Sequence, residues 1–286
     1  MATKIFNYYI LKEAQQYINL NTDLDITEKD IFKYALLLST DEFYTFFKPF
    51  KINKYNITSK MLDNRYFNDF FKEALSKANN IDMISISYHL LGNYIINKHI
   101  NNYVNSITLL KNRTQNTCNS IDAYFFEKME NKKIYQVDLS TYYRNTFDIT
   151  IDDLELLEFP TKKVLGFFCF KNYYDKCYKN IKKYLKSHTK NFLFIKKLFH
   201  LIYDLFNYRK NNLKAKYFIY PKNYSIRCLN LTKKAYTYQN QTYDYSINEI
   251  YDNILNEIKI AYTNLNHYYN GDKDRFFNYL NNYINK

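Results

Sequence analysis

Only three glycines and three prolines punctuate 286 residues. A β-rich chain of this length reverses direction many times through tight turns, and Gly and Pro make most of them. Their scarcity leaves helices joined by loops built from Asn and Asp. Asn tolerates the left-handed backbone angles that most side chains avoid, so it partly replaces Gly in such loops. The expected fold class is therefore all-α, as a single multi-helix domain over residues 1–286.

Periodicity places the helices. The clearest runs over 247–269. Ser246 followed by Glu249 is a capping box, in which each side chain satisfies a backbone donor that the helix itself leaves orphaned. Ile247, Ile250, Tyr251, Ile254, Leu255, Ile258 and Tyr262 then recur at steps of three and four and form one apolar stripe. Asn270-Gly271 supplies a stop. Similar patterns predict helices over 31–38, 67–78, 83–104 and 121–129, with one or two more within 173–208. The 138–160 region is less regular and reads as a linker between two helical groups. An extended or looped piece is expected over 217–245, around Pro221. No internal repeat stands out.

Aromatic residues make up 20% of the chain, with 33 Tyr and 23 Phe. Disordered chains are poor in such residues, so a packed core is expected. Tyrosine buries a large ring but keeps a hydroxyl that needs a partner, and the abundant Asn can supply some of them. The excess of Tyr, Asn, Lys and Ile also has the signature of AT-rich coding sequence. The formal net charge of +13 favours contact with phosphates, on nucleic acid or on an anionic membrane face. The lysines read as spread along the chain, and a run such as 179–186 as a solvated helix face.

The four cysteines, Cys118, Cys169, Cys177 and Cys228, form no CxxC pair and suit neither a zinc finger nor a disulfide scaffold. Free thiols in a reducing compartment are expected. The first residues lack the long apolar stretch and cleavage site of a signal peptide. No apolar run approaches the roughly 18 residues of a membrane span. A soluble, cytoplasmic protein is the expectation.

Motifs with a built-in mechanism are missing. There is no phosphate-cradling Gly loop, no HExxH and no GxSxG elbow. His89, His99, His188, His200 and His267 include no pair at i, i+3 or i, i+4, so no two can hold a metal from adjacent turns of one helix. His89 and His99 share the 83–104 helix. Among carboxylates, Asp41 in the stretch Ser39-Thr40-Asp41-Glu42 can cap a helix, ligate a cation or act as a base, with capping favoured. Asp152, Asp153, Glu155 and Glu158 read as a solvated acidic loop balancing nearby lysines.

The order of several short pieces resembles the bacterial zinc-dependent phospholipase C-like proteins. Thr3-Lys4 stands at the start, and Ser39–Tyr44 where that family has an aspartate loop followed by aromatics. Tyr88-His89-Leu90-Leu91-Gly92 is similar to the opening of its ligand-bearing helix, and Ser120–Tyr124 to a later one. Leu229-Asn230-Leu231, then Tyr243–Ser246 and the helix up to Gly271, resemble its C-terminal part. The resemblance implies a phospholipase C/P1 nuclease-type fold. It also implies a zinc cluster, held by His and Asp, that activates water against a phosphodiester.

The ligands themselves do not carry over. Lys4 stands where the first His is expected and Leu62 near the second, and the His, Asp and His expected after Gly92 fall on Ile96, Ile100 and Val104. Only Asp41 keeps its type. Apolar side chains cannot hold zinc. The resemblance thus implies a pseudoenzyme without zinc, with Asp41, Asp122 and His99 as vestigial metal-site candidates; zinc is the cofactor only if the family site is retained. Two alternatives stay open: an active metal-dependent phosphodiesterase with atypical ligands, and a basic helical protein that binds nucleic acid or an anionic membrane surface. A phospholipid or other phosphate-bearing ligand suits all three.

Overall fold

The protein is all-α. A computed structural model describes residues 3–23, 62–107, 114–134, 137, 151–166, 221, 223–238 and 241–284. Within them the chain forms α1 (Lys4–Asn21), α2 (Asn64–Leu75), α3 (Ile81–Ile107), α4 (Thr114–Glu130), α5 (Ile151–Leu165), the single turn α6 (Ile226–Leu229), α7 (Ile247–Tyr269) and α8 (Lys273–Ile284). A short antiparallel hairpin, β1 (Tyr236–Tyr238) with β2 (Gln241–Tyr243), pairs Tyr236 with Tyr243. No helix among the described residues is long and apolar enough to cross a membrane.

The centre of the fold is α3. Every residue from Ser85 to Asn97 is buried. A helix covered on all sides needs neighbours on all sides, and α1, α2, α4, α5, α6, α7 and β1 supply them. Two aromatic groups fill the spaces around it. Phe6, Phe125 and Tyr251 join α1, α4 and α7, with ring centroids 4.9–5.6 Å apart. On the opposite flank Phe67 stacks on Tyr94 at 3.7 Å, and Phe71 meets Phe276 of α8 at 5.9 Å. Phe6, Phe67, Phe70, Phe71, Phe125 and Phe126 are all at most 1% exposed. Each such ring contributes about 1.5–3 kcal/mol relative to exposure.

Many tyrosine hydroxyls find partners, several of them on Asn or Glu, although those of Tyr88 and Tyr262 have none among the described residues. Tyr94 donates to Asn64 (2.8 Å), Tyr124 to Asn248 (3.1 Å) and Tyr251 to Glu13 (2.6 Å). Asn also does the expected work at helix ends: Asn131 after α4 and Asn230 after α6 take positive φ of 52° and 43°. Lys233 also takes a positive φ, of 52°, and the glycines hold further special positions. Gly166 and Gly271, with φ of 63° and 100°, end α5 and α7, while Gly92 sits mid-helix in α3 where Tyr262 and Leu11 press close.

Several expected elements recur with shifted edges: α2, α3 and α4 for the patterns over 67–78, 83–104 and 121–129, and α7 for 247–269 with both bonds of the Ser246–Glu249 capping box. The segments over 31–38 and 173–208 lie outside the described residues, as do 138–150. The linker reading is corrected over 151–160. There α5 packs against α2 and α3, and Lys163 of α5 bonds Glu73 of α2 at 2.5 Å. Pro160 lies inside α5 and disguised it in the sequence. Asp152, Asp153, Glu155 and Glu158 fall within this helix rather than in a loop. Two helices, α1 and α8, carried no recognised periodic signal.

Candidate functional site

Asp122 lies on α4, fully buried, with its carboxylate at the start of α1. The backbone N–H of Lys4 donates to Oδ2 at 2.9 Å, and those of Ile5 and Phe6 donate to Oδ1 at 3.0 Å. These are the first three N–H groups of α1, which no helical carbonyl can satisfy. Thr3 precedes them without making a side-chain cap. A residue 118 positions away therefore caps α1. Burial pushes the Asp122 carboxyl up to about 6, against Lys4 and the three N–H bonds, which favour the anion.

A buried polar seam continues from that point between α1 and α3. Thr3 donates to Asn7 (2.9 Å), Asn7 to Asn93 (3.3 Å), and Asn93 to the His89 carbonyl (2.9 Å). Burial holds the His89 imidazole down to about 3, so it is neutral at physiological pH. The Asn7–Asn93 bond crosses between the two helices and helps to fix their register, because a slip by one turn would break it.

His99 belongs to a different cluster, at the junction of α3, α7 and α8. Its Nε2 lies 2.8 Å from Glu257 Oε2, and the Tyr283 hydroxyl donates to the same oxygen at 2.7 Å. An ionised carboxylate only accepts, so Nε2 carries the proton in this arrangement. Burial raises the Glu257 carboxyl, but the bonds from His99 and Tyr283 together bring it below its ordinary value. Lys98 donates to the Tyr283 carbonyl at 3.0 Å and lies 4.5 Å from the Tyr283 ring, which pins α8 to α3.

The structure does not bring the sequence candidates together around one centre. Asp122 is engaged with α1, and His99 with α7 and α8, with no partner in common. Asp41 lies outside the described residues. Among the described residues no three His, Cys, Asp or Glu side chains gather in a way that could hold a metal ion. The positions expected to follow Gly92 as ligands, Ile96, Ile100 and Val104, are 0–1% exposed in the apolar core.

Sequence reasoning missed Glu257 and Tyr283, which depend on a contact between distant helices. It also missed an open cleft of about 680 Å³ between the C-terminal ends of α1 and α7 and the first half of α3. Asparagine and tyrosine at those helix ends read as ordinary loop and core residues. No family model, no curated protein and no solved structure matches this chain.

Proposed function

We propose that this chain is a degenerate phospholipase C-like protein: a scaffold of the phospholipase C/P1 nuclease type that works by binding rather than by zinc-dependent hydrolysis, in a reducing, cytoplasmic setting. One observation carries the reading. The three positions where the resemblance expects ligands on α3 are Ile96, Ile100 and Val104, and all three are buried among apolar neighbours. The position of the first expected His holds Lys4, whose backbone N–H is bound to Asp122. Both oxygens of Asp122 accept backbone N–H groups, so it serves α1.

The test is elemental mass spectrometry on protein dialysed against zinc, followed by hydrolysis of bis(p-nitrophenyl) phosphate. The expected outcome is no stoichiometric zinc and no zinc-dependent turnover. About two or three tightly bound zinc ions per chain, with hydrolysis that a chelator abolishes, would overturn the proposal.

A second reading, a basic binder of nucleic acid or of an anionic membrane, draws on where the charge resides. The described residues hold 17 Lys or Arg and 19 Asp or Glu, a net charge of −2, so the +13 of the whole chain arises outside them. Residues 167–220 alone hold 13 Lys or Arg against 2 Asp or Glu, and aromatics are interleaved throughout. Such a sequence can neutralise phosphates and stack on bases. Affinity for a nucleic acid that falls steeply between low and moderate salt would favour this reading, and affinity indifferent to salt would exclude it.

A further inference from the structure

We propose that the cleft between the C-terminal ends of α1 and α7 and the first half of α3 binds a small organic ammonium ion. Its volume of about 680 Å³ is within the usual range for ligand sites. The argument starts from charge. Asp23 is the charged residue that lines it, and no Lys or Arg does so among the described residues, although the chain as a whole is strongly basic. The C-terminal ends of α1 and α7 both open onto it, and a helix C-terminus carries partial negative charge. Among the described residues an anion meets no cationic side chain there, whereas a cation meets a carboxylate and two helix ends.

The lining chemistry agrees. The Tyr269 ring lines the cleft, backed by the fully buried Tyr88 ring on which it stacks, with centroids 6.0 Å apart and planes inclined by 29°. The Ser87 hydroxyl fixes the Tyr269 hydroxyl at 2.6 Å. Tyrosine faces attract cations, and an alkylammonium gains both this attraction and apolar contact. Asn21 commits its Nδ2 to the Tyr17 carbonyl, which leaves its amide oxygen as an acceptor. Asn266 and Asn270 line the opposite side and add further amide oxygens. Tyr88 is fully buried at the edge of this space, and its hydroxyl has no hydrogen-bond partner among the described residues. A hard metal ion would want several carboxylates, and the described residues of the cleft offer one. The inference stands apart from the reading of the chain as a degenerate phosphodiesterase, since none of its residues belongs to the metal positions of that reading.

The experiment is calorimetric titration of the full chain with tetraethylammonium and with 3-ethylpentan-3-ol, a neutral molecule of nearly the same shape. Saturable tetraethylammonium binding is expected, with Kd on the order of millimolar and the alcohol at least about tenfold weaker. Asp23 is exposed at the end of α1, so Asp23→Asn leaves the fold intact. It should weaken tetraethylammonium about tenfold and leave the alcohol unchanged. Asn270→Asp adds a second carboxylate and should strengthen tetraethylammonium binding. No saturable binding, equal binding of the alcohol, or indifference to Asp23→Asn in a variant with unchanged helical circular dichroism would each overturn the proposal.

Discussion

Gly92 offers the sharpest test of how α3 and α7 meet. A Cβ placed there would lie 2.5 Å from the Tyr262 hydroxyl oxygen and 2.7 Å from Leu11 Cδ2, both closer than real contacts allow. In an open helix Gly→Ala is stabilising by roughly 1 kcal/mol through propensity and backbone entropy. Here Tyr262 cannot swing aside, because its ring is fully buried and meets Tyr88 edge-on at 5.1 Å. Overpacking of this kind costs about 1–3 kcal/mol per site, and two groups must move at once. Gly92→Ala should therefore destabilise by about 2 kcal/mol net despite the propensity gain.

Tyr262→Phe removes the nearer obstacle. Its hydroxyl has no hydrogen-bond partner among the described residues, so its loss should be neutral or stabilising by up to about 1 kcal/mol. In the double variant only the tip of Leu11 remains in the way, and a leucine end can rotate. A coupling of at least about 1 kcal/mol between the two substitutions is expected. Urea unfolding followed by circular dichroism at 222 nm gives all four corners of the cycle, provided the slope m stays constant. A Gly92→Ala variant as stable as the parent, or a cycle without coupling, would refute this account of the α3–α7 contact.

The other predictions concern polar groups. Asp122→Ala strands three buried N–H groups at the start of α1 and should cost about 2–4 kcal/mol at neutral pH. The folded-state pKa of Asp122, about 6, exceeds its unfolded value of 3.8. The part of its contribution that is linked to protonation is therefore complete below 3.8 and lost as pH rises through about 6, while the three N–H bonds remain. The gap to Asp122→Ala should then widen as pH falls from 6 to 4; a narrowing gap would mean that the N–H bonds outweigh the burial. Glu257 has the opposite sign. Its lowered carboxyl stabilises above the unfolded carboxylate range, and that stability is lost as pH falls through the folded pKa. Glu257→Gln should flatten the acid limb of a plot of stability against pH, and an unchanged limb would show that the His99–Tyr283 cluster makes no such contribution. Ser246→Ala should cost about 1 kcal/mol by removing the α7 cap, with unfolding midpoints as the measure.

What the sequence determined by itself was local. Scarce Gly and Pro imposed helices, and three- and four-residue spacing located α2, α3, α4 and α7. Ser246 and Glu249 marked a helix start because both capping partners sit within one turn. Asn and Gly took up the left-handed positions at helix ends because the backbone angles there admit few other residues. The other features were decided across long separations. The start of α1 was illegible because its cap comes from Asp122, on another helix. Pro160 hid α5, and burial against α2 and α3 outweighs the cost of that proline. His99 meets Glu257 only because α3, α7 and α8 converge. The cleft by Tyr88 likewise exists only where the ends of two helices meet the flank of a third. Spacing along one chain reports which residues share a helix face, whereas a site depends on which faces meet, and that is set by the packing of a whole core around α3.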